Sequence, residues 1–180
     1  MENINVQKRD FTVKANKMRR LGMIPGSVFG KYLPEAISIQ LEEATAYRLI
    51  RQKREGSKLL LNVEGQIIPV QIKEKNLDPL NTEILHISSQ ALATDEKVNS
   101  VIHIFLKGDE KFGGQLEKML MEIPYVSLPD NMIDTITIDV DGMKTGDVLT
   151  VKDIPEIMSD KIKLQVDMNE IVLRISERQE

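Results

Sequence analysis

Four cations fall within seven residues near the start of the chain, Lys14, Lys17, Arg19 and Arg20, and Lys31 follows a glycine a little further on. Long cationic side chains held on one rigid element suit a run of phosphates, because their summed attraction gives affinity that is independent of base sequence. Charge alone leaves a second reading open, a solvated helix face. Acid–base chemistry has less to draw on. His86 and His103 are the two histidines, the side chains that titrate nearest neutral pH. Neither has a neighbouring Ser or Asp in a nucleophile signature, and no glycine-rich phosphate loop opens a helix. Asp139, Asp141 and Gly142 suggest a fragment of a calcium loop, but the spaced carboxylates ending in a bidentate Glu are missing. On a strand the two aspartates share one face, which reads as solvated surface. His103 sits in an alternating strand and reads as structural or surface. With no cysteine, disulfides and thiolate metal sites are excluded. The residues thus point to no catalytic centre, metal site, cofactor or small-molecule substrate.

The elements that must carry the cations are short. Ile4 and Val6 alternate with polar neighbours as a first strand. Lys14 to Leu21 fits about two helical turns, with Met18 and Leu21 on one face and Gly22 at the end. Ile24-Pro25-Gly26 predicts an extended or turned entry, since proline restricts the residue before it, and Ser27 to Phe29 a short strand. Ile37, Ile39 and Leu41 alternate. Residues 42–54 read as a helix with Ala46, Leu49 and Ile50 on its buried face; its acids lead and its bases follow, as the macrodipole favours, and Gly56 is placed to terminate it. Lys58 to Val63 and Ile67 to Lys75 flank Glu64-Gly65-Gln66 as a hairpin. Asp78-Pro79-Leu80-Asn81 predicts a turn before a last strand, Glu83 to Ile87.

Ser88 to Asn99 is polar and weakly patterned, so the domain boundary is expected there, giving domains 1–92 and 93–180. The charge agrees with a division. Residues 1–92 hold 14 Lys+Arg against 10 Asp+Glu, a net of +4, and residues 93–180 hold 10 against 18, a net of −8. A basic half joined to an acidic half predicts that the first half meets an anionic partner. The second half reads as strand and turn: Val98 to Leu106, Ile136 to Asp141, Val148 to Val151, Lys163 to Val166 and Ile171 to Ile175. Lys107-Gly108-Asp109 and Gly113-Gly114 punctuate it, and Gln115 to Met121 is open between strand and helix. Such spacing predicts a sandwich or small barrel. No run approaches the roughly 18 apolar residues of a membrane span, and the expectation is a cytoplasmic chain.

The run Ala15-Asn-Lys-Met-Arg-Arg-Leu-Gly-Met-Ile-Pro-Gly-Ser-Val-Phe-Gly30 resembles the basic "RRLR…G-x-IPAVxYG" signature of the bacterial large-subunit ribosomal protein numbered twenty-five, a 5S ribosomal RNA-binding family. Ile72-Lys73-Glu74, Asp78-Pro79 and Leu85-His86-Ile87 are similar to its "K-E-x-Q-x-D-P … HVDF" end. Gly113-Gly114, Leu128-Pro129, Ile138-Asp139-Val140, Gly146-Asp147 and Val151-Lys152-Asp153 resemble the extra domain of its longer general-stress form, called Ctc. The resemblance implies a mainly β fold: a six-stranded β-barrel with two helices, then a second all-β domain. It implies a non-catalytic ribosomal protein that docks on 5S rRNA, with large-subunit ribosomal proteins as its other partners. By residue it implies RNA contacts at Lys14, Lys17, Arg19, Arg20, Phe29, Lys31 and His86. The chain departs from the pattern at Gln7, Phe11-Thr12-Val13, Asn16, Asn76 and Ser88-Ser89, and Phe29 stands where the family usually has Tyr. The alternative is a divergent paralogue acting as a stress or protein-interaction module with weak or no 5S rRNA binding.

Overall fold

A computed structural model describes residues 3–80, 83–108 and 115–176. Asn81, Asp109 and Gly113-Gly114, read above as turn or punctuation, lie outside the described residues. The chain divides into two compact units, one ending at Glu96 and the other starting at Lys97.

In the first unit the element order is β1 (Asn3–Lys8), α1 (Ala15–Arg20), β2 (Met23–Phe29), β3 (Ile37–Glu42), α2 (Glu43–Gln52), β4 (Lys58–Val63), β5 (Gln66–Leu77) and β6 (Ile84–Ala91). The six strands close into a barrel in the order β1-β3-β2-β6-β5-β4, with the ring joined by a parallel pairing of β1 and β4. Closure leaves no unpaired edge. The period-two pattern decides which side chains enter: Ile4, Val6, Ile24, Val28, Ile39, Leu41, Leu59, Leu61, Ile68, Val70, Ile72 and Ile87 form one buried cluster. Each such aliphatic side chain contributes about 1.5–3 kcal/mol when removed from water. Ala46 and Leu49 of α2 join that cluster. Lys75 holds the end of α2 by donating to the carbonyls of Ile50 and Lys53.

Several local expectations change in the folded chain. Pro25 does not break β2. The pairing of β2 with β6 begins at Gly26, so the missing proline N–H leaves no gap in that ladder. Leu21 is 66% exposed, and Met18 is the buried residue of α1. Helix α2 ends at Gln52, ahead of Gly56, whose φ of 86° instead turns the chain into β4. The segment Ser88 to Ala91, part of the stretch read as polar and weakly patterned, is strand. Ser88, Ser89 and Gln90 pair with Ser27, Val28 and Phe29 of β2 while also pairing with β5. Between Val63 and Gln66, Glu64 (φ 52°) and Gly65 (φ 98°) make the two-residue hairpin turn that needs left-handed backbone at both positions.

The second unit contains β7 (Val98–Lys107), β8 (Gln115–Lys118), β9 (Glu122–Ser127), β10 (Thr135–Asp139), β11 (Val148–Thr150), β12 (Ile162–Leu164) and β13 (Ile171–Ser176). They form two sheets, β10-β7-β9-β12 and β11-β13-β8. Ile102, Ile104, Ile123 and Tyr125 of one share a buried cluster with Val172 of the other and with Val151, Ile154 and Ile157. The Tyr125 hydroxyl, buried in that cluster, donates to the Ile133 carbonyl (2.9 Å) and accepts from the Ile133 N–H (2.8 Å). Segment 115–121, open in the sequence, is strand as far as Lys118.

At Gly26 strand β2 leaves no room for a side chain against β6. A Cβ there would lie 2.9 Å from the Ile87 carbonyl oxygen and 3.2 Å from Ile39 Cγ1. Gly26→Ala is therefore expected to destabilise the first unit by about 1–3 kcal/mol, the range for overpacking. Urea unfolding measures it, and a change under about 0.5 kcal/mol, within the usual range for surface substitutions, would contradict the close approach.

Candidate nucleic-acid interface

Helix α1 is too short to be stable by itself. It has no side-chain N-cap, and Lys17, Arg19 and Arg20 lie in its last turn, where the macrodipole favours cations. Packing holds it. Met18 is buried, α1 packs against β2, and Arg19 Nη1 donates to the Leu85 carbonyl of β6 at 3.3 Å while Nη2 donates to Asn16 Oδ1. At about 100° per residue, a buried Met18 sends Lys17 and Arg19 to opposite flanks and Arg20 outward. The cations therefore surround the exposed side of the helix and do not form one straight edge.

The two flanks differ electrostatically. Arg19 and Arg20 line a cleft together with Asn16, Glu43 and Glu83, whose carboxylates offset their charge. Lys14 and Lys17 are exposed and lie outside that cleft.

The sheet beside α1 is polar on its outer face. Ile24 and Val28 point into the barrel, so Ser27 and Phe29 point out, and the register sets Ser27 against Ser88 and Phe29 against Gln90. Phe29 is 40% exposed, a ring on which a base can stack. Gln90 lies four positions along the strand from His86, about 13 Å at the usual rise. His86 is half-buried, and its Nδ1 lies 3.3 Å from Ser88 Oγ. Burial, and then repulsion from the Arg9 guanidinium, hold its pKa below the ordinary histidine value, with Glu74 opposing. The neutral ring offers one donor and one acceptor, which suits a hydroxyl partner.

Lys31 stands apart from α1. It follows β2, and its ammonium pairs with Glu96 at 2.6 Å while remaining largely exposed. The Glu96 carboxylate raises the Lys31 pKa. Next to it, the Tyr32 hydroxyl donates to the Leu92 carbonyl at 3.3 Å. Lys31 therefore shares its charge with an acid.

Arg9 is the residue that sequence reasoning missed. Its backbone N–H donates to Ser38, its guanidinium lies 5.5 Å from the Phe11 ring centroid, and it is close enough to His86 to depress its pKa. Arg9 Nε is buried without a hydrogen-bond partner among the described residues. An unsatisfied cationic donor is costly, and an anionic ligand would satisfy it. The available signal was a lone arginine directly after the first strand. His103, by contrast, is buried, and its Nδ1 lies 3.4 Å from Glu122 Oε1.

Comparison with known proteins adds to this geometry. The model of the Ribosomal L25p family matches residues 4–88, and that of the ribosomal protein TL5 C-terminal domain matches residues 97–179. Large ribosomal subunit protein bL25 of Thermoanaerobacter sp. (strain X514) is 30% identical over 183 residues, covering 97% of this chain and 89% of the relative. The protein of the same name from Gloeothece citriformis (strain PCC 7424) is 31% identical over 158 residues, covering 84% and 79%. That from Listeria monocytogenes serotype 4b (strain F2365) is 26% identical over 178 residues, covering 96% and 84%.

The depressed His86 pKa has a direction that can be tested. Because the unfolded chain takes up the proton at a higher pH than the folded one, His86 contributes stability above the unfolded value. That contribution is lost as pH falls from about 6.5 through the lower folded pKa. An NMR titration of the imidazole is expected to give a midpoint below the ordinary value, and Arg9→Met is expected to move it back up. A His86 midpoint unmoved by that substitution would separate the two residues.

Proposed function

Because the chain belongs to the bacterial ribosomal L25p family, we propose that its first domain binds 5S rRNA, through α1 and the outer face of β2 and β6. As a member of that family it is a ribosomal protein of the large subunit, and a non-catalytic one. No helix among the described residues is long and apolar enough to cross a membrane, and the proposed place of action is the cytoplasm.

The observation that carries the reading is the pairing of two unlike features on one side of the barrel. One is a helix whose exposed side is cationic, with Lys14 and Lys17 clear of the acids that line the Arg19–Arg20 cleft. The other is a polar sheet face with an exposed Phe29 and a neutral His86. In the proposed complex Lys14, Lys17, Arg19 and Arg20 meet phosphates, which fix register without reading sequence. His86, Ser88 and Phe29 face the wide minor groove and non-canonical regions of an RNA helix, where 2′-hydroxyls and displaced bases are within reach. Arg9 reinforces that centre. Lys31 joins by exchanging Glu96 for a phosphate. The second domain, with its excess of acid, is expected to be repelled by RNA, and large-subunit proteins are its proposed partners.

Binding of the full chain to 5S rRNA, measured at several salt concentrations, tests this directly. Affinity should fall steeply with salt, and the double substitution Lys14→Ala with Lys17→Ala should lower the log–log slope by about one unit per cation removed. Failure to bind at low salt, or binding with a flat salt response, would leave the divergent-paralogue reading in its place.

A further inference from the structure

The barrel has a second polar surface on β1 and β3 beside α2, where β3 adjoins β2 and β1 lies three strands from β6 around the ring. It is an open cleft of about 300 Å³ whose polar lining includes Asn3, Asn5, Gln7, Gln40, Thr45 and Arg48, with Glu42 offsetting the arginine. Its amides have a fixed orientation. Gln40 Oε1 accepts the Asp10 backbone N–H at 3.1 Å, so the Gln40 NH₂ is left to donate to Gln7 Oε1 at 3.2 Å. On the neighbouring strand Asn62 Oδ1 accepts the Gly65 N–H at 2.8 Å, and the Asn62 NH₂ donates to Asn5 Oδ1 at 2.9 Å. A backbone N–H can be met only by an oxygen, so each relay settles which way its amides point.

The consequence falls on β1. Asn5 and Gln7 are both exposed and lie two residues apart, on one face of the strand. Each has its oxygen engaged and its NH₂ without a partner among the described residues. The strand thus shows solvent two uncharged amide donors, one beside β3 and one beside β4. Such a pair matches a ligand rich in acceptors and poor in donors. Minor-groove base edges carry mostly acceptors, and in RNA the 2′-hydroxyls add more. A protein partner fits less well, because protein interfaces draw on aromatic and apolar anchors, and none of the exposed large apolar side chains lies on β1, β3 or α2.

We propose that Asn5 and Gln7 form a second RNA contact, in which two oriented amide donors read the minor-groove acceptors of an A-form segment other than the one held by α1. The proposal rests on the first domain being an RNA binder. It differs from the α1 contact in its physics: with Glu42 and Arg48 offsetting each other, it acts through hydrogen bonds and adds little to the salt dependence.

That difference supplies the test. The full chain and its Asn5→Leu/Gln7→Met variant, which keeps size and charge, are titrated with 5S rRNA across a range of salt, and the wild-type complex is footprinted with hydroxyl radicals. The variant is expected to bind about tenfold more weakly at every salt concentration, as two lost hydrogen bonds imply, with an unchanged slope. The wild-type footprint is expected to cover two separate stretches, one of which the variant loses. A matching urea midpoint for the two proteins shows that folding is intact. Affinity within twofold of wild type, or a wild-type footprint confined to one stretch, would overturn this second contact while leaving the α1 reading intact. No binding by the wild type would overturn both.

Discussion

Strand β2 lies against β6 closely enough that a single methyl group at Gly26 would collide with the Ile87 carbonyl oxygen, and the surface proposed to meet RNA depends on that approach. The parallel β2–β6 pairing, flanked by β3 and β5, is part of what closes the ring. It sets Phe29 beside Gln90 and Ser27 beside Ser88, and it fixes the Leu85 carbonyl where Arg19 can reach it. A wider spacing would detach α1 from the sheet. The helix, only six residues long, has little else to hold it. The aliphatic interior supplies the stability, and the small residues along β2 and β6 supply the fit.

Much of this architecture could be read from the sequence, because Ile, Val and Leu alternate along β1, β3, β4 and β5 and a closed mainly β barrel is one way to bury one face of each strand. The end of β6 could not be read that way. Its inward residues are Ser89 and Ala91, too small and, for the serine, too polar to mark a core position until the partner strand is known. Leu21 gave the opposite error: an apolar residue at helical spacing from Met18 that ends up in solvent, because Gly22 turns the chain immediately after it.

The candidate site divides along the same line. Its residue types were legible; its directions were not. Four cations in a short segment are visible in any reading, but only the burial of Met18 shows that they splay around the helix, and only the folded chain shows Glu43 and Glu83 beside two of them. Lys31 reads as a free cation until Glu96, far along the chain, is found against it. Arg9 gave almost no signal, since its meaning comes from His86 on a strand remote in sequence. The amide relay behind Asn5 and Gln7 needs cross-strand register, which no local pattern encodes. The family resemblance, carried by the basic run and the strand that follows it, correctly supplied the mainly β fold, a closed six-stranded barrel followed by a second all-β region, and the ribosomal assignment.

The central claim is that the basic unit of this chain attaches the protein to the large ribosomal subunit by charge and shape, without chemistry. Sedimentation of the native protein through sucrose gradients tests that most directly. The account predicts that it travels with the large subunit at low salt and is released to the top of the gradient at high salt. Protein that stays at the top even at low salt, with intact subunits present, would contradict it.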